Sequence, residues 1–290
     1  MFVMKKMINC EVIKSFSGHS QCRVELCRSE NGFLFVRKTS TKANYDIRLL
    51  NQCSKQRMFN KLSLHTPLVY QRGLTENGRF YFDMEFIKGR TLAFELFNLT
   101  TEYEDQLISD FFRHIDAINK KNNNNNFVNN VFHKKIDELM KSVENDNVLA
   151  YVVKKLLQFD YSQVPMTLCA GDLTLENIIY SNGKVYVIDL LDSFFSSWLI
   201  DIAKLRQDTF LGWSYRNVKL EDKQVERLNS LDQKLKKELE KRDKTGYLLI
   251  ASQHILLLNI LRIIPYCQRN DENFNFCKKS LERLMAYEFY

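Results

Sequence analysis

Hydrophobic and polar residues alternate with a period of two along several short stretches in the first third of the chain, as they do in strands with one buried face. The pattern covers residues 11–16, 22–28, 32–39, 67–71 and 78–86. Turn residues separate some of these runs, with Asn31-Gly32 opening the third and Thr75 to Gly78 the fifth. Ala43 to Lys61 contains no Gly or Pro and is rich in Leu, Gln, Lys and Arg, which predicts a helix. Beyond residue 91 the period lengthens. Ile108, Phe111, Phe112, Ile115 and Ile118 share one helical face within Thr91 to Lys121, and residues 132–159 have the same texture. Val225, Leu228, Leu231, Leu235 and Leu239 form another stripe opposite a Lys/Glu-rich face that reads as solvated. The Asn-rich tract at 121–130 has too little apolar area to pack and reads as a mobile surface loop.

One stretch interrupts this helical second part. Residues 167–192 read as a loop, a strand, a turn and a second strand. Asn182-Gly183 is a strong hairpin signal, because both central positions of a type I′ turn need positive φ. Counting outward, Ser181 faces Lys184, Ile179 faces Tyr186, and Asn177 lands opposite Ile188. Asn177 and Asp189 then emerge at the same end of the hairpin, and Asp172 lies five positions before Asn177 on the loop leading in. Two carboxylates and an amide at one edge suit Mg²⁺, which takes one or two protein carboxylates and completes its shell with substrate phosphates.

Composition narrows the field only a little. The 290 residues suffice for one large domain or two lobes with cores of their own, and 45% hydrophobic with 27% charged residues is ordinary for a globular protein. The net charge of +7 fits binding of a polyanion such as ATP and equally fits a plain Lys-rich chain. No clustered basic stripe points to nucleic acid. Seven scattered cysteines without a C-x-x-C pair indicate neither zinc nor a disulfide framework, and a reducing cytoplasm is the expected location. The start of the chain has no long apolar run of the signal-peptide kind. Polar residues interrupt Leu248 to Tyr266, so it reads as a buried helix and not as a membrane span.

The run from Asp172 to Asn177, with Asp189 ending the next strand, resembles the D-x-x-x-x-N and metal-binding Asp of the protein-kinase-like fold. The Gly171-Asp172-Leu173 form, and Ile188 to Asp192 where protein kinases carry D-F-G, are most similar to the aminoglycoside phosphotransferase and choline kinase branch, whose members phosphorylate small molecules. The resemblance implies an α+β, two-lobed fold. Residues 1–87 would form a nucleotide-binding lobe, an antiparallel sheet with one helix. Residues 88–290 would form a larger, mostly helical lobe that binds the acceptor.

It also implies roles. Asp172 would orient or deprotonate the acceptor hydroxyl, while Asn177 and Asp189 hold Mg²⁺–ATP. Lys38 fits the strand lysine that pairs the phosphates; Arg37, on the opposite face, takes its place if the register slips by one. Ser17, Gly18 and Ser20 lie in a strand–loop–strand whose backbone N–H groups could cover phosphates. Backbone groups near Glu85 and Ile87 would bind adenine. Asp201 would brace the catalytic loop, a role compatible with a helix cap, and Asp192 is a candidate supporting acceptor. Trp213, Tyr215 and Arg216 are candidates for acceptor contact, with packing an equal alternative.

The chain also departs from the family. Ala170 stands where the family has His. The glycine loop is poor. The helix Glu that braces the lysine is replaced at the plausible positions by Gln52 and Gln56. Basic residues outnumber acidic ones over 211–290, which disfavours polycationic aminoglycosides and favours a sugar or a glycan or lipid precursor. Two alternatives stay open. One is a pseudokinase or interaction module. The other is an aminoglycoside kinase or a choline- or ethanolamine-type kinase, the latter needing an aromatic cage with an acidic rim.

Overall fold

The computed structural model describes residues 8–16, 21–62, 64–118, 126–143, 146–268 and 271–288. Contacts divide it into two compact units: Met1–Leu92 with Asn177–Asp192, and Ala93–Glu176 with Ser193–Tyr290.

The first unit is built on an antiparallel sheet. Its strands are β1 (Cys10–Phe16), β2 (Cys22–Ser29), β3 (Leu34–Ser40), β4 (Val69–Leu74) and β5 (Phe80–Glu85), in the order β1-β2-β3-β5-β4. Helix α1 (Ala43–Phe59) covers one face, packing Tyr45, Leu49 and Cys53 against Val36, Phe80, Phe82 and Met84. Alternation along β3 sends Val36 and Lys38 to that face, and Phe35 and Arg37 to the other. There the Arg37 guanidinium forks onto buried Asp83 (Nε to Oδ1 2.7 Å, Nη2 to Oδ2 2.8 Å).

A second, three-stranded sheet joins β6 (Arg90–Thr91), β7 (Ile178–Ser181) and β8 (Lys184–Val187). Asn182 and Gly183 take φ of +49° and +76°, as a type I′ turn requires. The register that results pairs Ser181 with Lys184 and Ile179 with Tyr186. Arg90 pairs with Tyr180, and the Val187 N–H reaches the His65 carbonyl at 2.8 Å, which is why this hairpin belongs with the N-terminal sheet.

The second unit is helical: α2 (Leu92–Glu95, its first residue still in the sheet unit), α3 (Thr101–Ile118), α4 (Asn126–Val143), α5 (Asn147–Gln158), α6 (Trp198–Thr209), α7 (Asp222–Arg242), α8 (Tyr247–Leu261) and α9 (Glu272–Glu288). The expectation of a loop over 121–130 needs correction. Residues 121–125 lie outside the described residues, and from Asn126 onward the tract is helix α4. Val128 and Phe132 are buried on it, and the Asn129 amide oxygen accepts the Tyr161 N–H at 3.0 Å. Tertiary burial of two apolar side chains overrides the poor propensity of asparagine.

Helix α8 forms the core of the unit, packing on α5, α6, α7 and α9. The segment Tyr247–Tyr266 is long and apolar enough to cross a membrane by length and composition alone, yet 67% of its most apolar 18-residue window is buried inside the fold. Beside it the Arg206 guanidinium, fully buried, is held by Asp232 (2.9 Å) and the Ser252 hydroxyl (3.2 Å).

Candidate active site

In the sheet unit the site begins with Lys38. Its position on β3 aims the side chain to the α1 face, where Nζ donates to Asp189 Oδ1 at 2.5 Å. Burial by itself lowers the pKa of this ammonium, but the charge and hydrogen bond of Asp189 more than offset it, so the pKa lies above the ordinary lysine value. The side chain of Lys38 is 7% exposed and that of Asp189 39%, leaving the carboxylate open to a ligand. Asp189 follows β8 with φ of +54°, a left-handed conformation that non-glycine residues adopt at a cost and that clusters at functional positions. The Ile188 N–H donates to the Asn177 carbonyl at 2.9 Å, which fixes Asn177 and Asp189 at one end of the hairpin.

Asn177 and Asp189 are oxygen donors. Among the described residues, no three His, Cys, Asp or Glu side chains come together as a metal cluster. A small, hard donor set with an exposed carboxylate fits Mg²⁺, which keeps several non-protein ligands, and does not fit zinc.

The rest of this half is support. The Gln52 amide donates to the Tyr45 hydroxyl (3.3 Å), and the Gln56 amide to the Pro67 carbonyl (2.7 Å). Tyr45 in turn contributes to the electrostatic setting of Lys38. The Lys55 ammonium holds the Leu191 carbonyl (2.5 Å), and the Asn51 amide donates to Asp192 (3.2 Å). Arg37 is committed to Asp83. Glu85 accepts the Leu68 N–H (3.2 Å) at the end of β5, and Ile87 is buried just beyond it. Ser17, Gly18 and Ser20 lie outside the described residues.

In the helical unit the centre is the loop 170–176, laid along one face of α6. Ser197 takes the N-cap place of that helix, accepting the Leu199 N–H. Asp201, in its first turn, accepts the N–H groups of Ala170 (2.7 Å) and Gly171 (2.8 Å). Gly171 has φ of +87°, which turns the chain into Asp172. One turn on, Lys204 Nζ stands 3.1 Å from Asp172 Oδ1. One further turn on, Asp208 accepts the N–H of Leu175 (2.6 Å) and of Ser214 (2.7 Å). Burial raises the Asp208 pKa to about 6, with the charge of Glu176 adding to it and the N–H donors opposing it.

Lys204 and Asp208 are absent from the sequence-based expectations. The available signal was their spacing of three and seven from Asp201, which sets all three on one helical face.

The three acceptor candidates follow on a 3₁₀ turn. The Arg216 guanidinium stacks on Trp213 at 4.3 Å and donates to the Trp213 carbonyl (2.9 Å), while the Tyr215 hydroxyl donates to the Ala93 carbonyl (2.8 Å). Tyr215 and Arg216 line a cavity of about 310 Å³ together with Phe210, Phe276 and Arg283, and the lining includes no carboxylate. Trp213 packs edge-on against Phe276. A cavity of about 510 Å³ between α3 and α7 contains none of the candidate residues.

No protein-family model and no curated protein matches the sequence. Solved structures do match. Aminoglycoside phosphotransferase APH(4)-Ia, in the apo form of a thermostable mutant, aligns with a TM-score of 0.62 and 14% identity over 96% of this chain and 94% of its own. A putative fructosamine-3-kinase from Haemophilus somnus 129PT aligns at 0.57 and 12% over 96% and 92%. Aminoglycoside phosphotransferase APH(2")-IIa, in a streptomycin–ATP ternary complex, aligns at 0.56 and 15% over 95% and 92%. The chain has the protein-kinase-like fold that these proteins share, an antiparallel N-terminal sheet followed by a mostly helical part.

Proposed function

We propose that the protein is an ATP-dependent small-molecule kinase that transfers the γ-phosphoryl group to an acceptor hydroxyl. The observation that carries this reading is the bond between Lys38 and Asp189, which unites a sheet lysine and a hairpin carboxylate 151 residues apart. A buried cation beside a partly exposed carboxylate supports a site for a phosphate chain and a metal. Solved neighbours of the same fold are complexes with ADP or AMP-PNP together with hygromycin B, which supports ATP as donor.

In this reading Lys38 neutralises phosphate charge, and Asn177 and Asp189 hold Mg²⁺. Bound there, the metal would supply positive charge to offset the charge that develops during transfer. The backbone near Glu85 and Ile87 receives the adenine. Asp172 orients the acceptor hydroxyl and takes its proton. The acceptor oxygen forms a bond to Pγ, the bond from Pγ to the β–γ bridging oxygen breaks, and ADP leaves with that oxygen. Asp201 and Gln52 act behind these groups, Gln52 through Tyr45. Trp213, Tyr215 and Arg216 contact the acceptor, and two arginines without a carboxylate in the cavity lining favour a neutral or anionic molecule, a sugar or a glycan or lipid precursor, over a polycation.

The test is a pair of variants assayed with ATP, Mg²⁺ and a panel of sugars, amino alcohols and nucleosides. Asp189→Ala is expected to abolish Mg²⁺–ATP binding. Asp172→Ala is expected to retain nucleotide and lose transfer by about 10²–10⁴-fold, the range for a positioned acid–base group. Full activity in Asp172→Ala refutes the assignment. A second reading, a nucleotide-binding module without transfer, is favoured by one observation: α1 has Gln52 where the family's bracing Glu is expected, and its amide donates to Tyr45. Nucleotide binding with no turnover on any acceptor would establish it.

A further inference from the structure

Three side chains at successive turns of α6 hold the loop that carries Asp172. Asp201 takes the backbone N–H groups before it, Asp208 takes a backbone N–H after it, and Lys204 is the one of the three that meets its carboxylate. The two acids hold the main chain. Nothing in that task calls for a cation between them. Lys204 is largely withdrawn from water, with its side chain 14% exposed, and it has neighbours such as Ile202 and Ala203 that are fully buried. Placing an ammonium there costs desolvation that a Leu or Met would not incur. What the lysine provides is a charge 3.1 Å from Asp172 Oδ1.

We infer that Lys204 is a positioning residue for phosphoryl transfer. It fixes the rotamer of Asp172 and screens its negative charge from the phosphoryl oxygens it must work beside. The inference rests on the kinase reading above and deepens it. Two anions, a carboxylate and a polyphosphate, repel at working distance, and a fixed cation beside the carboxylate removes that penalty without reorganisation at the moment of transfer. A pure packing role would need only the length of the side chain. A charge role needs its sign.

The experiment is a double-mutant cycle of Lys204→Met and Asp172→Asn in the full chain, with Lys204→Arg as the conservative variant. Lys204→Met keeps an unbranched side chain only one atom shorter and removes the charge. It is expected to lower kcat by about 10–100-fold, less than the ~10²–10³-fold lost when a donor aimed directly at the transition-state charge is removed, with the KM for ATP changed less than about threefold. Lys204→Arg is expected to recover part of the loss. In the Asp172→Asn background Lys204→Met should cost little more, because the carboxylate it serves is gone.

Losses that multiply, an unchanged kcat in Lys204→Met, or a loss that Lys204→Arg does not relieve each overturn the inference. A wild-type chain that binds ATP and transfers to no acceptor overturns the kinase reading instead. In that case the same cycle read by melting temperature still decides whether Lys204 and Asp172 act as a pair. Single shifts that simply add would show that they do not.

Discussion

The residues that position Asp172 differ in what they exchange for burial. Asp208 gives up solvation to hold two N–H groups, and its pKa, raised to about 6 from 3.8, records a cost of ~3 kcal/mol for keeping it charged at neutral pH. Asp208→Asn removes that cost but offers only one acceptor oxygen, so one of the Leu175 and Ser214 N–H groups faces an amide NH₂. An orphaned buried N–H costs ~1–3 kcal/mol. The two effects nearly cancel in stability, whereas the loop loses a tether. Asp208→Asn is therefore expected to melt within a few degrees of the wild type and to lose turnover at least ~10-fold. A large drop in melting temperature with full activity would contradict this. None of this was legible from Asp208 as a letter in the sequence, since an Asp late in a helix is usually a solvated one. Its meaning comes from full burial at the C-terminal end of α6, against the loop.

At the scale of elements, the hairpin β7–β8 was readable in advance because local chemistry fixes it. Two residues that tolerate positive φ set the turn, and the turn sets the register. What the sequence does not display is the third strand, β6, only two residues long. Gly89 makes its approach possible: a Cβ there would lie 2.2 Å from the Tyr180 carbonyl oxygen and 2.7 Å from Ile179 Cγ2. Gly89→Ala must push β6 off β7, and overpacking of this kind costs ~1–3 kcal/mol. Gly183→Ala meets no atom within 4 Å and bears only its positive φ, about 1 kcal/mol. Thermal denaturation is expected to rank Gly89→Ala as the more damaging, and the reverse order would mean that β6 is not held by β7. The loop expected at 121–130 shows the opposite lesson. Composition pointed to a loop, and burial of Val128 and Phe132 decided otherwise from Asn126 onward.

For the molecule as a whole, buried titratable groups set how stability responds to acid. His114 on α3 and His254 on α8 are both lowered to about 4 from 6.5, chiefly by burial. The unfolded chain binds protons at these positions as pH falls through 6.5, and the folded chain does not until about 4. Stability is therefore lost on acidification across that window. Asp208 works the other way. Its folded form takes a proton near pH 6, and its unfolded form near 3.8, so acidification stabilises through this group. Two histidines outweigh one aspartate. Melting temperature is expected to fall from pH 7 to pH 5, and replacing His114 and His254 by Gln should flatten the slope. A rise over that range would refute the account.

By itself the sequence determined the alternating strands, α1 and the hairpin with its register, because periodicity and turn chemistry act over a few residues, while the α+β class came from the resemblance of its Asp172–Asp189 motif. It also placed Asp172, Asn177 and Asp189 within one short stretch. Only the tertiary structure decided which distant groups meet them: Lys38 on Asp189, Lys204 on Asp172, and Asp201 and Asp208 on the loop backbone. Such pairings depend on burial and on which faces of separate elements are brought together. A charged letter in a sequence carries its sign, but the partner that answers it is chosen by the fold.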